Sequence, residues 1–295
     1  MQKMGQKIMP KILDGRAISS KIAEQLTQQI LVCKTKPTLV IIQIGNNEES
    51  NTYIKHKRIF AEKIGAIVKY VHYDEDVSEE SVVVDIETYN TDTSIHGIIV
   101  QLPIPKNLSE SRILESIDPR KDIDGLTSAS AMHLFNSEKG FVSCATKAVL
   151  VLLDNEQIDV TGKKVVIVGH SALVGKPTAL ALINRNATVT VCHAFTKNLD
   201  EETKRADILI TAVGKPKLIT KNFVSPGQIV IDIGITVLSV EEDGVKKKKV
   251  VGDVDYEAVK DIVAAITPVP GGIGPLTIAC LFESLLEVYE NLGRL

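Results

Sequence analysis

Apolar positions in the first half of the chain alternate between the patterns of buried strands and of helices. Thr38–Ile44 is an apolar run rich in β-branched residues that ends at Gly45, which is typical of a strand covered on both faces. The pattern further predicts a helix capped by Ser50 and ending at Gly65, strands over 67–73 and 97–102, and a helix over 78–89. Strands separated by helices indicate a parallel sheet with right-handed crossovers.

The alternation is interrupted between Pro119 and Gly140 and then resumes, which indicates a second α/β unit after an apolar helix near 146–155. The pattern there predicts strands over 165–169, 188–193, 208–213 and 229–233, and helices over 174–184, 201–205 and 276–292. A chain of 295 residues is also long for a single hydrophobic core. We therefore expect an α/β fold with two domains.

Composition and charge exclude several classes of protein. Hydrophobic residues make up 44% and charged residues 24%, an ordinary globular balance that argues against disordered or fibrous proteins. A net charge of -3 produces no global field favouring nucleic acid or an anionic membrane, and we expect neither as a partner. The basic run Lys246–Lys249 follows acidic residues around Gly244 and predicts a solvated hairpin.

The four cysteines are scattered, without a Cys-x-x-Cys pair, and therefore predict neither a disulfide framework nor a zinc site. No metal is expected. No apolar stretch approaches the roughly 18 residues of a membrane span, and the first residues lack the apolar run of a signal peptide. Scattered free thiols suit a reducing compartment, so the expected location is the cytoplasm.

The segment Val165–Pro177 predicts a strand, a glycine turn and a helix, the arrangement of a dinucleotide site. Glycines let the backbone approach a pyrophosphate, and a helix N-terminus supplies amide donors. Ser171 stands where the usual fingerprint has a middle glycine, so a turn without a ligand remains an alternative. The candidate cofactor residues of this turn are Gly169, His170, Ser171, Val174 and Gly175.

The next strand of this unit ends at His193-Ala194, without the acidic residue that commonly binds the ribose diol of NAD. Its absence removes repulsion against a 2′-phosphate and favours NADP. No arginine is present to hold that phosphate, and His170, His193 and Lys197 are the available substitutes. NAD therefore remains an alternative cofactor.

A candidate reaction centre lies in the first unit. Tyr53 and Lys57 are four positions apart and share one face of the predicted helix, although such a pair also suits an ordinary helix surface. Gln101 ends a predicted parallel strand, where open α/β sheets bind ligands. Asp122 and Asp124 follow in a loop that would present a carboxylate to the same place.

A second unusual loop, Thr267–Pro275, is too rich in proline and glycine for an ordinary connection. Its constrained backbone predicts close approach to a flat ligand.

These segments together resemble the bifunctional methylenetetrahydrofolate dehydrogenase/cyclohydrolase family. They follow the family's order and cover nearly the whole chain, from about residue 10 to 290. The matching segments are Ser50–Lys57, Val100–Pro105, Lys121–Gly125, Gly169–Pro177, Ala212–Pro216, Val251–Val254 and Thr267–Pro275.

The resemblance implies the domain boundaries and the ligands. Residues 1–145 with the returning C-terminal helix 276–295 would bind folate, and a Rossmann-like domain over 146–275 would bind NADP. The family arrangement places both ligands in a cleft between the domains and implies a homodimer. The activity implied is oxidation of 5,10-methylenetetrahydrofolate to 5,10-methenyltetrahydrofolate, followed by hydrolysis to 10-formyltetrahydrofolate.

The resemblance also assigns roles. Tyr53 would stack on the pterin-derived ring, Lys57 would be the main catalytic group, Gln101 would orient it, and Asp124 would accept hydrogen bonds from the aminopyrimidine edge. The other residues implied to contact substrate are Leu102, Pro270, Gly271 and Gly272. The other residues implied to contact cofactor are His193, Ala212, Val213, Gly214, Ile235, Gly274 and Thr277.

The two reactions require different groups. Hydride removal from the methylene carbon leaves a delocalised cation and releases no proton, so this step requires positioning more than a base. Hydrolysis requires proton transfer, because water attacks and a ring nitrogen leaves. A lysine desolvated near a cationic substrate has a lowered pKa and suits this work.

Departures from the family pattern keep two alternatives open. Ser143–Ala148 lacks both prolines and the glycine of the family's Pro-Cys-Thr-Pro-x-Gly, and His170 and Ala194 replace residues common near the cofactor. The first alternative is a dehydrogenase with little cyclohydrolase activity. The second is a catalytically silent folate- or nucleotide-binding paralogue.

Overall fold

The computed structural model describes residues 10–242 and 245–292, which form two compact units. The three-stranded unit comprises Ser19–Cys144 and the described residues from Thr277 onward. The six-stranded unit comprises the described residues up to Ile18 together with Ala145–Leu276. The predicted two-domain α/β fold is confirmed.

Every helix and strand predicted from the sequence is present, and its ends lie within three residues of the predicted positions. The helices are α1 (Gly15–Leu31), α2 (Glu48–Ile64), α3 (Glu79–Thr91), α4 (Glu110–Glu115), α5 (Ser128–Phe135), α6 (Cys144–Asn155), α7 (Gly175–Ile183), α8 (Leu199–Lys204), α9 (Tyr256–Val259) and α10 (Ile273–Leu292). The strands are β1 (Lys11–Ile12), β2 (Thr38–Ile44), β3 (Ile67–Tyr73), β4 (Gly97–Val100), β5 (Lys164–Val168), β6 (Thr188–Cys192), β7 (Ile208–Thr211), β8 (Ile229–Asp232), β9 (Thr236–Glu242), β10 (Val245–Val251) and β11 (Ala265–Ile266). A 3-10 turn spans Lys221–Phe223.

The sheet of the three-stranded unit has the order β3-β2-β4, and both pairs of neighbours are parallel. The central strand β2 is buried, and its Ile42 packs in one cluster with Val100 of β4 and Ile86 of α3. Phe282 of the C-terminal helix stacks on Phe60 of α2 with ring centroids 5.4 Å apart. This packing returns the end of the chain to the three-stranded unit, as the family resemblance implies.

Helix α2 begins earlier than the sequence predicts. Asn47 is its N-cap and accepts a hydrogen bond from the Ser50 backbone N–H at 2.9 Å, so the expectation that Ser50 is the cap is wrong. Ser50 is instead buried inside the first turn, where its hydroxyl donates to the Leu102 carbonyl at 3.4 Å. The helix ends at Gly65 as predicted, because a left-handed φ of 82° there favours glycine.

The sheet of the six-stranded unit has the order β1-β11-β8-β7-β5-β6, with parallel neighbours throughout. Strand β5 lies between β6 and β7, so the turn that follows β5 is flanked by the carboxyl ends of two neighbouring strands. Ligand sites of open parallel sheets lie at such ends.

The described residues before Ile18 differ from the sequence prediction, which places them in the first domain. Lys11 and Ile12 pair with β11 and thereby belong to the six-stranded unit. A two-residue strand carries no readable periodicity. The sequence also misses helix α1, whose first turn is capped by the Asp14 carboxylate through the N–H groups of Arg16 and Ala17.

The predicted basic hairpin is present as antiparallel pairing of β9 with β10, and positions 243–244 at its tip lie outside the described residues. The irregular stretch from 119 to 140 contains the short helix α5, capped by Thr127. Within the described ranges, none of the helices combines the length and apolar character that crossing a bilayer requires.

Candidate active site and cofactor turn

Lys57 and Gln101 meet at the carboxyl end of β4. The Lys57 ammonium donates a hydrogen bond to Gln101 Oε1 at 3.0 Å. The Gln101 amide nitrogen donates to the Leu102 carbonyl, also at 3.0 Å, and this bond fixes which side of the amide faces the lysine. Gln101 therefore holds the lysine side chain, which lies half-buried on helix α2.

The two aspartates of the 121–125 loop have different roles. Asp122 is buried and accepts hydrogen bonds from the backbone of Leu126 and Thr127 and from the hydroxyls of Thr127 and Ser130, at 2.7–3.1 Å. It anchors the loop to the start of α5. Asp124 does not anchor the loop in this way, and its carboxylate interacts electrostatically with Lys57.

The electrostatics of Lys57 and Asp124 are coupled. Burial lowers the pKa of Lys57, and the Asp124 carboxylate partly offsets this shift. Burial raises the pKa of Asp124, against the opposing effect of the Lys57 ammonium. Because desolvation dominates for both groups, the lysine amine is available as a base nearer to neutrality than an exposed lysine.

Cys144 is a site residue that the sequence analysis does not assign. Its thiol donates to the Ile123 carbonyl at 3.7 Å at the start of helix α6, and hydrogen bonding by Cys144 also lowers the pKa of Asp124 against the effect of burial. Burial, reinforced by the Asp124 charge, raises the pKa of this thiol well above its ordinary value. Cys144 is therefore a neutral donor and not a nucleophile. In the sequence, Cys144 lies in the altered 143–148 segment at the position of the family's cysteine, and this alignment is the signal that could identify it as a site residue.

Tyr53 lies half-buried one helical turn before Lys57. Burial, followed by the charge of Glu49, raises the pKa of its phenol, which stays neutral. A neutral aromatic ring beside a desolvated amine suits stacking against a flat heterocycle. Leu102, which follows Gln101 and receives its hydrogen bond, is joined to Pro103 by a cis peptide bond.

The turn after β5 has the tight packing of a dinucleotide loop. Gly169 has a φ of 123°, and a β-carbon added there would lie 2.3 Å from the Ala212 carbonyl oxygen. A β-carbon added at Gly175, the first residue of α7, would lie 2.1 Å from the Gly169 carbonyl oxygen. Only glycine fits at either position, as at the first and third glycines of the fingerprint, although Gly169 and Gly175 lie six positions apart and not five.

The surface of this turn suits a pyrophosphate. His170 and Ser171 are exposed, and the Ser171 hydroxyl accepts the N–H of Val174 at 3.2 Å. Helix α7 presents its N-terminal end, which is the favourable end for an anion, beside the exposed residues 170–173 of the turn. The residues present fit a dinucleotide cofactor.

A second glycine turn follows β7. Gly214 has a φ of 64°, and the backbone N–H groups of Val213, Gly214 and Lys215 all donate to the carboxylate of Asp253, at 2.7, 3.3 and 2.8 Å. Asp253 is fully buried. In the sequence, Asp253 lies within the family segment Val251–Val254, which predicts no role for it.

Asp232 supports this arrangement from the end of β8. Its carboxylate accepts the backbone N–H groups of Asp253 and Val254 at 3.1 and 2.8 Å, and the Thr211 hydroxyl at 3.0 Å. A β-carbon added at Gly252 would lie 2.0 Å from the Asp232 Oδ2 atom. Asp232 thereby ties the ends of β7 and β8 to the segment that carries Asp253.

Asp232 gives the stability of the protein a pH dependence. Burial, with a smaller effect of the Asp253 charge, raises the pKa of Asp232 to about 6 despite its hydrogen bonds. A carboxyl with a raised folded-state pKa stabilises the fold fully below its unfolded pKa and loses this contribution as pH rises through the folded pKa. We expect its contribution to the free energy of unfolding to fall by about 3 kcal/mol between about pH 4 and pH 7.

The measurement is denaturant unfolding of the wild type and of Asp232→Asn across this pH range. Asparagine does not titrate, so the difference in unfolding free energy between the two proteins isolates Asp232. The variant should gain stability relative to the wild type as pH rises. A difference that stays constant with pH would contradict the assignment.

His170 and His193 lie together beside the cofactor turn, with ring centroids 5.0 Å apart. His193 Nδ1 accepts the backbone N–H of Phe195 at 3.2 Å, so Nε2 carries the proton of the neutral ring. The pair therefore offers a hydrogen-bond donor at the end of β6, where the sequence has no carboxylate. Lys197 is exposed on the same loop.

The remaining predicted residues divide between the two units. Gly271, with a φ of 122°, accepts the Arg16 N–H at 3.1 Å, and the Gly272 N–H donates to the Pro268 carbonyl at 2.7 Å. Pro270 and these glycines belong to the six-stranded unit, as do Ile235 and Gly274. Thr277 belongs to the three-stranded unit. The ligand contacts of these residues stay predictions.

Comparison with known proteins gives consistent matches along the chain. Residues 13–124 match the tetrahydrofolate dehydrogenase/cyclohydrolase catalytic domain, and residues 143–292 match the NAD(P)-binding domain of the same family. The bifunctional protein FolD of Staphylococcus haemolyticus is 42% identical over 282 residues, covering 95% of this chain and 96% of that protein.

Solved structures agree. The bifunctional enzyme FolD, methylenetetrahydrofolate dehydrogenase/cyclohydrolase, from Campylobacter jejuni has a TM-score of 0.91 at 40% identity, covering 97% of this chain and 99% of that chain. The corresponding Trypanosoma brucei enzyme, complexed with NADP cofactor and inhibitor, has a TM-score of 0.92 at 31% identity, with the same coverage of each chain.

Proposed function

The chain belongs to the tetrahydrofolate dehydrogenase/cyclohydrolase family, and from this premise we propose that it oxidises 5,10-methylenetetrahydrofolate with NADP and hydrolyses the product to 10-formyltetrahydrofolate. The observation that carries the proposal is the cluster in which the desolvated Lys57 amine is held by Gln101 and faces the Asp124 carboxylate. This cluster unites a base for hydrolysis with an acceptor for an aminopyrimidine.

The oxidation step depends on positioning. NADP, which the Gly169–Gly175 turn would hold, would supply the hydride acceptor for the methylene carbon. Tyr53 would support the ring system of the folate by stacking, and Asp124 would accept its paired N–H groups. These contacts fix the orientation of the substrate, which is the main requirement of a step that releases no proton.

Hydrolysis uses the proton chemistry of Lys57. Water adds to the methenyl carbon, and the neutral Lys57 amine accepts one of its protons. The resulting hydroxyl then loses its proton as the carbonyl forms, and the departing ring nitrogen takes up a proton as its bond to carbon breaks. One proton is released overall. Gln101 keeps the amine in place through its 3.0 Å hydrogen bond.

The altered 143–148 segment does not remove this chemistry. It still places Cys144 beside Asp124, whose pKa it lowers through hydrogen bonding, despite the missing prolines and glycine. The contact favours the bifunctional enzyme over a dehydrogenase with little cyclohydrolase activity, because the residues around Lys57 remain assembled.

We favour NADP over NAD as the cofactor because the end of β6 offers His193 and no carboxylate. The Gly169–Gly175 turn would hold the pyrophosphate, and His170 and His193 would face the 2′-phosphate. A steady-state dehydrogenase assay with each cofactor tests this preference. We expect a lower KM for NADP than for NAD. An equal or lower KM for NAD would overturn it.

Replacement of Asp124 by asparagine is expected to raise the KM for folate by about 10–100-fold in both reactions. The amide would turn an N–H group toward the N–H donors that the carboxylate accepts. The KM for NADP should not change. Asp118→Asn is the matched control, because Asp118 pairs with the exposed Arg120 on the same segment. Equal folate KM values for wild type and Asp124→Asn would exclude this role.

The test of the function is a steady-state assay of purified protein with methylenetetrahydrofolate and either NADP or NAD. Reduced cofactor and methenyl product are followed separately. The proposal expects reduced cofactor to form without accumulation of methenyl product. Accumulation would identify a dehydrogenase with little hydrolysis, and failure to reduce either cofactor would identify a silent paralogue.

We also propose a cytoplasmic homodimer. Free thiols at Cys33, Cys144, Cys192 and Cys280 suit a reducing compartment. The dimer rests on the family resemblance, and light scattering of the purified protein tests it.

A further inference from the structure

The turn after β7 is a nest of three successive backbone N–H groups, from Val213 to Lys215, that converge on one point. Such concavities bind anions, and in nucleotide-binding proteins they often bind phosphate. Here the anion comes from the chain itself, because Asp253 places its carboxylate in the nest. The three N–H groups are therefore already used and do not serve a cofactor phosphate.

We propose that Asp253 is a positioning residue of the cofactor site, which fixes the Ala212–Gly214 backbone against the Gly169 turn by occupying this nest. The proposal rests on the proposed function, since it concerns the NADP site assigned there. The Gly169–Gly175 turn, and not the 213–215 turn, would then bind the pyrophosphate.

A chain of direct contacts leads from Asp253 to the cofactor turn. The carboxylate holds Val213, whose neighbour Ala212 approaches Gly169 so closely that a β-carbon there would lie 2.3 Å from the Ala212 carbonyl oxygen. The Ala212 N–H also donates to the Val168 carbonyl at 2.8 Å. A displacement of the 213–215 turn would therefore move the surface against which Gly169 packs.

The surroundings of Asp253 leave its carboxylate little freedom. A β-carbon at Gly234 would lie 2.2 Å from its carboxyl carbon, so the backbone of Gly234 closes one side. Asp232 accepts the Asp253 N–H and fixes the start of the side chain. Burial raises the pKa of Asp253, while the three N–H groups of the nest oppose this shift. The residue is thus held in one orientation by groups that do not touch a ligand.

The test is the variant Asp253→Asn, with three readouts. An amide has one acceptor oxygen and turns an N–H group toward at least one of the three backbone donors, which displaces the turn. We expect the dissociation constant for NADP, measured by isothermal titration calorimetry without folate, to rise at least about tenfold, and KM for NADP to rise in parallel. Hydrolysis of methenyltetrahydrofolate, which uses Lys57 and no cofactor, should continue at the wild-type rate.

Asp255→Asn is the matched control. Asp255 lies two positions further along and makes a partly exposed ion pair with Lys217 at 3.4 Å, so the same change there should alter none of the three readouts. An Asp253→Asn protein that hydrolyses methenyltetrahydrofolate normally and binds NADP like the wild type overturns the proposal.

A second variant decides the case in which Asp253→Asn does not fold. Gly234→Ala would place a β-carbon 2.2 Å from the Asp253 carboxyl carbon and would therefore displace the carboxylate from the nest without changing residues 213–215. Weaker NADP binding with normal hydrolysis supports the proposal, and unchanged binding overturns it. A wild-type protein that binds neither NADP nor NAD overturns the proposed function, and the positioning role with it.

Discussion

Lys57→Met is expected to lower the rate of methenyltetrahydrofolate hydrolysis by about 10³-fold, because it removes the amine that Gln101 holds at the site. The dehydrogenase reaction should retain at least about a tenth of its rate, since hydride transfer depends on positioning and not on a base. The two activities are measured on one protein preparation, from methenyl and methylene substrates respectively.

The variant should remain folded. Methionine fills the apolar part of the lysine environment and avoids the cost of a desolvated ammonium. Lys55→Met is the matched control, because Lys55 is exposed on a different face of α2 and should leave both activities unchanged. Full hydrolysis by Lys57→Met would remove Lys57 from the mechanism, and equal loss of both activities would reassign it to substrate binding.

Gly175→Ala is expected to weaken NADP binding by about 100-fold or more and to lower the free energy of unfolding by about 1–3 kcal/mol. The new methyl group would lie 2.1 Å from the Gly169 carbonyl oxygen, and both atoms are fixed by the backbone. The turn must therefore open, which displaces the N-terminus of α7. Calorimetric titration with NADP and denaturant unfolding measure the two effects.

Gly162→Ala is the control that distinguishes the effect of this steric overlap from the effect of placing alanine at a positive φ. Gly162 also lies in the six-stranded unit, and its φ of 69° disfavours alanine, but no atom lies within 4 Å of the added β-carbon. It should cost about 1 kcal/mol of stability and leave NADP affinity intact. If Gly175→Ala bound NADP as tightly as Gly162→Ala, the glycine turn could not be the cofactor site.

Local pattern predicts the strands of the three-stranded sheet well, both in the buried strand β2 and in the more exposed strand β3. Thr38–Ile44 and Ile67–Tyr73 have the predicted limits, and Gly65 ends its helix because the chain requires a positive φ there. The start of that helix is different. Asn47 and Ser50 are both good N-cap residues, and the choice depends on the contact of Ser50 with Leu102, which is distant in sequence.

The candidate site is likewise predicted in part by the sequence and determined in part by contacts between distant residues. Lys57, Gln101 and Asp124 are recognisable from family segments, and the structure brings the three side chains together. Spacing alone does not distinguish Asp122 from Asp124; the family resemblance assigns Asp124 to the site, and the fold shows that Asp122 is used by the α5 cap. The role of Asp253 depends on backbone groups about 40 positions away, which no periodicity reveals.

The N-terminal residues join the six-stranded unit for a similar reason. Their place is set by pairing of Lys11 and Ile12 with β11, and neither two-residue strand has a pattern of its own. Partner choice between short parallel strands is decided by tertiary structure, since their backbone hydrogen bonds join segments far apart in the chain.

The most direct test of the central claim, that Lys57 is the group that handles the proton in folate hydrolysis, is a crystal structure with NADP and a folate analogue bound. We expect the atom that mimics the one-carbon unit to lie within about 3–4 Å of Lys57 Nζ, directly or through one water, with Asp124 on the aminopyrimidine edge. An analogue bound elsewhere, with the Lys57 amine directed into bulk solvent, would contradict the account.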